Sequence, residues 1–176
     1  MNEAESAGLS VGSTGKFPTK VIKNFDQPWR TISMDPAYPG QEPSVCDTLA
    51  LAAQYRDAAV KLGAISPKLA HLPVHLLALH SVELYLDALL LAKGLDHKTI
   101  RGFQHDLGEQ SRVAIDAGLV LHKRTAAHLA TLSSTREYDA VRYGPRQAFK
   151  LSQVNRVMAT LDEVSQKVRR VLRPVP

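Results

Sequence analysis

Residues Pro73–Gly94 read PVHLLALHSVELYLDALLLAKG, and the fold turns on how this stretch is packed. Pro73 suits the first turn of a helix, where its missing N–H would have no partner. Lys93-Gly94 is a stop, a cation at the negative end of the helix followed by a residue that tolerates left-handed backbone. Between them Leu76, Leu77, Leu79, Val82, Leu84, Leu86, Leu89, Leu90 and Leu91 go most of the way round the helix. That is the pattern of a helix covered on several sides, not of a surface helix with one apolar stripe. The polar exceptions His80, Glu83 and Asp87 recur at i, i+3 and i+7 and share one face. Glu83 and Asp87 also interrupt the apolar run of roughly 18–20 residues that a membrane span needs.

Working outward, each flank reads as helix. Ser44 is an N-cap with Asp47 in the first turn, and the helix from Val45 to Leu62 turns Leu49, Ala52, Ala53, Ala59 and Val60 toward a core until Gly63 stops it. A connector from Ser66-Pro67 to Leu72 follows. On the other side, Leu95–Gln104 reads as a loop, Asp106–Ala117 as a helix stopped by Gly118, and His122–Ser134 as a further helix. Ser134–Arg146, STREYDAVRYGPR, is aromatic and charged and is broken by Gly144-Pro145. Leu151–Leu172 is the cleanest amphipath, with Leu151, Val154, Val157, Met158, Leu161, Val164, Val168 and Val171 spaced at three and four, and Pro174 ends it. No run alternates apolar and polar residues long enough for a sheet. The expected fold is all-α, a five-helix up-down bundle over residues 44–176. Residues 1–43, rich in Gly, Pro, Ser and Thr, form an extended N-terminal arm that can dock on a partner or sister chain.

The totals narrow the classes. With 176 residues, 44% hydrophobic and 22% charged, the chain has the composition of one globular domain. One cysteine, Cys46, excludes an internal disulfide and a cysteine-based zinc cage, and fits a cytoplasmic setting. The opening MNEAESAG is acidic and polar, unlike a signal peptide. GSTGK at Gly12–Lys16 is not a phosphate loop, because Ser10 stands where the first glycine belongs and Phe17 follows the lysine. Net charge is +5, and six Lys/Arg against two Asp/Glu fall between Ala148 and Pro176. This mild basic excess is compatible with a phosphate-bearing partner.

Three groups can carry chemistry. His80, Glu83 and Asp87 offer a His-x-x-Glu pair, but no second such pair completes a carboxylate metal site, and the alternative is a hydrogen-bonded polar face. His105-Asp106 either caps the next helix or holds a histidine in one tautomer for acid–base work. Arg136, Tyr138, Asp139, Arg142, Tyr143 and Arg146 combine guanidinium forks that suit phosphate with ring faces that stack on bases. The alternative there is an arginine–carboxylate lattice using Glu137 and Asp139. Nothing supports a catalytic triad.

The order of these features resembles the HEPN domain family. The resemblance is carried by the leucine-rich helix with Glu83 and its Leu91-Ala92-Lys93-Gly94 ending, by His105-Asp106-Leu107, by Gly118-Leu119, and by Arg142-Tyr143 ahead of a final helix. It spans about residues 45–172. It implies a helical bundle, a homodimer, and a link to nucleotides or RNA in toxin–antitoxin or defence systems. Many members are metal-independent ribonucleases with an Arg, four to six residues, then a His. Here Arg101–His105 and Arg124–His128 enclose only three residues, and Arg136 is followed after six by Tyr143 instead of histidine. Tyrosine is a poor base at neutral pH. The expectation is therefore a binding protein without catalysis, with a divergent ribonuclease using Arg136, Arg142 and His105, or a protein-interaction module, as alternatives. Arg136, Arg142, Tyr143, His105, Asp106 and Glu83 are the candidate ligand-binding residues; no catalytic residue, metal ligand or cofactor is assigned. The His80–Glu83–Asp87 face is where a carboxylate partner for Arg136 or Arg142 is to be sought.

Overall fold

The computed structural model describes residues 42–65, 71–143 and 151–173. The arm over residues 1–41, the GSTGK segment, Ser66-Pro67, Gly144-Pro145 and Arg146 lie outside the described residues. Seven helices run through the described chain: α1 Val45–Ile65, α2 His71–Ala92, α3 His97–Arg101, α4 Leu107–Asp116, α5 Lys123–Ser134, α6 Glu137–Tyr143 and α7 Val154–Val171. Among the described residues there is no strand, so the fold is all-α.

α2 is the centre. It packs against α1, α3, α4, α6 and α7. Leu79, Val82, Tyr85, Leu86, Leu89 and Leu90 are completely enclosed by these neighbours. Each such leucine contributes about 1.5–3 kcal/mol by leaving water. By length and composition α2 could cross a membrane, but 61% of its apolar window is buried inside the fold, as in the core helix of a soluble protein. Its phenol at Tyr85, lost in the core, is satisfied by Arg169 Nη2 of α7 at 2.5 Å.

The helix ends follow local chemistry. Ser44 and Asp47 form a reciprocal capping box: Asp47 N–H donates to Ser44 Oγ at 3.2 Å, and Ser44 N–H donates to Asp47 Oδ2 at 3.0 Å. α2 ends at Gly94 (φ 90°), with Gly94 N–H on Leu91 O and Leu95 N–H on Leu90 O. α4 closes in the same way through Gly118. α5 lacks a cap from its own N-terminal residue. Glu163 of α7 replaces it, accepting from His122 N–H at 2.7 Å and Thr125 Oγ1 at 2.5 Å. These bonds outweigh burial and hold the Glu163 carboxyl below its usual range.

The departures from the expected five helices are short or terminal. α1 continues through Gly63, against which Val74 packs, instead of stopping there. The expected loop 95–104 contains α3, whose N-cap Asp96 accepts from Thr99 N–H at 2.8 Å. The aromatic segment after Ser134 forms α6. Val60 and Val171 are exposed, not core. The two-residue junction Thr135-Arg136 turns α5 into α6, with Arg136 in left-handed backbone (φ 51°). A buried cluster fixes α6 in place. Glu137, almost fully enclosed, accepts from Ser152 N–H at 3.0 Å and Ser152 Oγ at 2.7 Å. His75 Nε2 of α2 lies 3.2 Å from Glu137 Oε2, off the line of a ring hydrogen bond. His128 of α5 reaches the same serine through Nε2 at 3.2 Å. Burial, ahead of the charge of Arg156, pushes the His128 imidazole below its ordinary value, so this histidine is neutral.

Candidate functional site

α2, the turn before α4, and α6 bring together residues widely separated in the chain. Glu83 projects from α2 with its side chain mostly buried. Its Oε1 lies 2.8 Å from Nδ1 of His105, and its Oε2 lies 3.2 Å from Nδ1 of His80. Burial alone would raise the Glu83 carboxyl. Hydrogen bonds and charge from His80 and His105 outweigh it and hold the carboxyl below its usual range. The group is therefore an ionised carboxylate clasped by two imidazoles.

His105 reaches Glu83 by way of an unusual backbone. Gln104 and His105 both have positive φ, 47° and 68°. A left-handed non-glycine residue costs about 1–2 kcal/mol. Asp106 then caps α4, accepting from Glu109 N–H at 2.9 Å, so the strained pair delivers the imidazole back toward α2. Such strain gathers at functional positions.

Arg142 completes the group. Its Nη1 lies 3.1 Å from Nε2 of His105. A guanidinium only donates, so Nε2 is the acceptor and the proton of a neutral His105 resides on Nδ1, facing Glu83. Tyr138 stacks on the His105 ring, with centroids 4.5 Å apart and planes 8° apart. The Tyr138 hydroxyl lies 2.9 Å from His80 Nδ1, so a proton on that nitrogen is shared between the phenol oxygen and Glu83. Burial, then the Glu83 charge, pushes the Tyr138 phenol far above its ordinary value, and it stays neutral. The Arg142 guanidinium lies over the rings of Tyr138, 5.6 Å away, and Tyr143, 5.0 Å away.

Two clefts flank this cluster and share His105 and Tyr138. One, of about 280 Å³, is largely apolar and includes Tyr55, Leu76, Leu77, His80 and Arg142. The other, of about 240 Å³, is polar and includes Gln104, Asp106, Ser133, Arg136 and Asp139. A larger apolar cleft of about 470 Å³, between α1, α2 and α7, lies away from this cluster; its one carboxylate, Asp162, is held by Arg56 at 2.7 Å.

The sequence-derived candidates therefore divide. Glu83, His105, Arg142 and Tyr143 converge. Arg136 borders the polar cleft with its guanidinium on Asp139 at 3.0 Å, and Asp106 is a helix cap. The expected carboxylate on α2 does not meet the arginines directly. Glu83 takes the two histidines and touches Arg142 only through His105, while Asp87 takes Gln110. Among the described residues, no three His, Cys, Asp or Glu side chains are grouped to hold a metal ion. Tyr55 reads in the sequence as an ordinary helix residue, and Leu76 and Leu77 read as leucines of the core helix, so none of them signals a cleft there. The His-Glu pair at i, i+3 was the one local signal for this face.

No family model, no curated protein and no solved structure matches the chain.

Proposed function

We propose that this chain is a HEPN-like helical protein that binds the phosphate of a nucleotide or RNA at Arg142 and His105, without cleaving it. The observation that carries the reading is the 3.1 Å approach of Arg142 to His105 at the junction of two clefts. An exposed guanidinium offers paired N–H groups that match phosphate oxygens. His105 Nε2 stands beside it, and Tyr138 and Tyr143 hold the guanidinium by their ring faces. Binding in place of catalysis is favoured because Arg142 occupies the lone pair that a general base would need. Titration of the full chain with a short single-stranded RNA at low salt tests this. Affinity is expected to fall with salt and to drop about tenfold or more in Arg142→Gln. Absence of binding at low salt would sink the reading.

A second reading, a divergent metal-independent ribonuclease, is favoured by one feature. The 2.8 Å contact of Glu83 with His105 Nδ1 is the carboxylate–imidazole arrangement that fixes a tautomer for acid–base work. Once a phosphate draws Arg142 away, Nε2 is free to take a proton from an attacking hydroxyl. Loss of RNA cleavage in Arg142→Ala and His105→Ala would support it. RNA left intact by pure protein in the presence of a chelator would dismiss it. Homodimer formation and a defence or toxin–antitoxin role belong to the same family reading, and docking through residues 1–43 is a separate one. Solution mass with and without residues 1–43 tests the last.

A further inference from the structure

We infer that the apolar cleft between α1, α2 and α6 is a ring slot, which takes the flat face of an unpaired nucleobase whose phosphate lies at Arg142. This rests on the phosphate reading above and deepens it. The ligand becomes a nucleotide, or one base splayed out of a single strand, and not the backbone of a duplex.

The lining sets the chemistry. Tyr55 comes from α1, Leu76 and Leu77 from α2, and Tyr138 and Arg142 from α6. Leu76 and Leu77 are only partly buried, so apolar surface of α2 faces the cleft. Tyr55 meets His80 edge-on, with centroids 4.5 Å apart and planes at 89°, which fixes its ring at the wall. A space of about 280 Å³ suits a ring system and leaves the sugar and phosphate outside. Apolar and aromatic walls reward a base face and give nothing to a duplex backbone, whose base faces are already covered. At the rim stands Arg142, where the group attached to that ring would carry its negative charge.

Calorimetric titration of the full chain with inorganic phosphate, ribose 5-phosphate, AMP and UMP at low salt is the test. The nucleotides are expected to bind about tenfold tighter than ribose 5-phosphate. In Leu77→Gln and Tyr55→Ala that gap should shrink below about threefold while ribose 5-phosphate binds as before. If Tyr55→Ala loses its helical circular dichroism, Leu77→Gln carries the test alone. Arg142→Gln should weaken all four ligands. Equal affinity for ribose 5-phosphate and nucleotides, or a gap unchanged in the folded slot variants, overturns the slot and leaves the phosphate position standing. Failure of all four ligands to bind overturns the phosphate reading and the slot together. Nucleotide binding that survives Arg142→Gln but falls in Leu77→Gln supports the slot and overturns the phosphate position.

Discussion

Asp87 of α2 and Gln110 of α4 meet in the interior, where Gln110 Nε2 donates to Asp87 Oδ1 while Oε1 of the same amide is buried without a partner. A protonated Asp87 has the missing donor, since its O–H can serve that oxygen while the amide N–H serves the carboxyl. Burial first, and then the Glu83 charge, push Asp87 up from 3.8 to about 7; the Gln110 bond opposes this but does not prevail.

The fold therefore disfavours ionised Asp87. Well below pH 3.8 the group is protonated in both folded and unfolded chains and has no effect. As pH rises, the unfolded chain releases the proton first, and the destabilisation is complete above about 7, on the order of 4 kcal/mol. Asp87→Asn keeps both hydrogen bonds and removes the ionisation. Its melting temperature is expected to exceed that of the parent by about 5 °C or more at pH 8 and to match it well below the unfolded value of 3.8. An equal shift at both pH values would show that ionisation is not the cause.

Glu137 behaves in the opposite sense. Burial would raise it, but His75 and Ser152 outweigh burial and hold it below its usual range. Its stabilisation is present above the unfolded value of about 4.5 and is lost as pH falls through the lower folded value. Glu137→Ala leaves Ser152 N–H without its acceptor inside the protein and should cost about 1–3 kcal/mol in urea unfolding at pH 7. Because Glu137 anchors α6, phosphate binding at Arg142 should fall in parallel.

Gln104 contributes strain without a bond that the site uses. Gln104→Gly relieves the left-handed backbone and should raise stability by up to about 1 kcal/mol. Ligand affinity is expected to stay within about twofold, and a larger loss would show that the Gln104 side chain takes part in the site.

Gly108 is a packing position. A Cβ there would stand 3.0 Å from Ser133 Oγ and 3.3 Å from Ala130 Cα, and Gly108 N–H already donates to that hydroxyl at 2.6 Å. Gly108→Val should force α4 from α5 and cost about 1–3 kcal/mol. An unchanged urea midpoint would show that the helix pair yields freely.

Much of the scaffold was legible because it is written locally. The all-round leucines place α2 at the centre, Gly94 and Gly118 mark two stops, and Ser44 and Asp106 mark two starts. Two short helices were not legible. α3 and α6 span five and seven residues, too few for a repeat of three and four to show. Nor does the sequence reveal that Val60 and Val171 face water, since helix periodicity identifies a face but not what covers it. The site was half legible. Glu83, His105 and Arg142 stand out as residue types, yet His105 lies 22 positions from Glu83 and 37 from Arg142. Only the crossing of α2 and α6, and two left-handed residues, turn those types into one cluster.

α1 rests on α2 along its length and reaches α7 through Arg56 and Asp162 at 2.7 Å. Among the described residues α1 is covered mainly by one neighbour, whereas α2 is enclosed by five. Amide hydrogen exchange should then be fast in α1 and slowest in α2. Tyr55 belongs to α1, so one wall of the ring slot sits on this less enclosed helix. Ligand in the slot would show itself as slowed exchange along α1, far beyond the residues it touches.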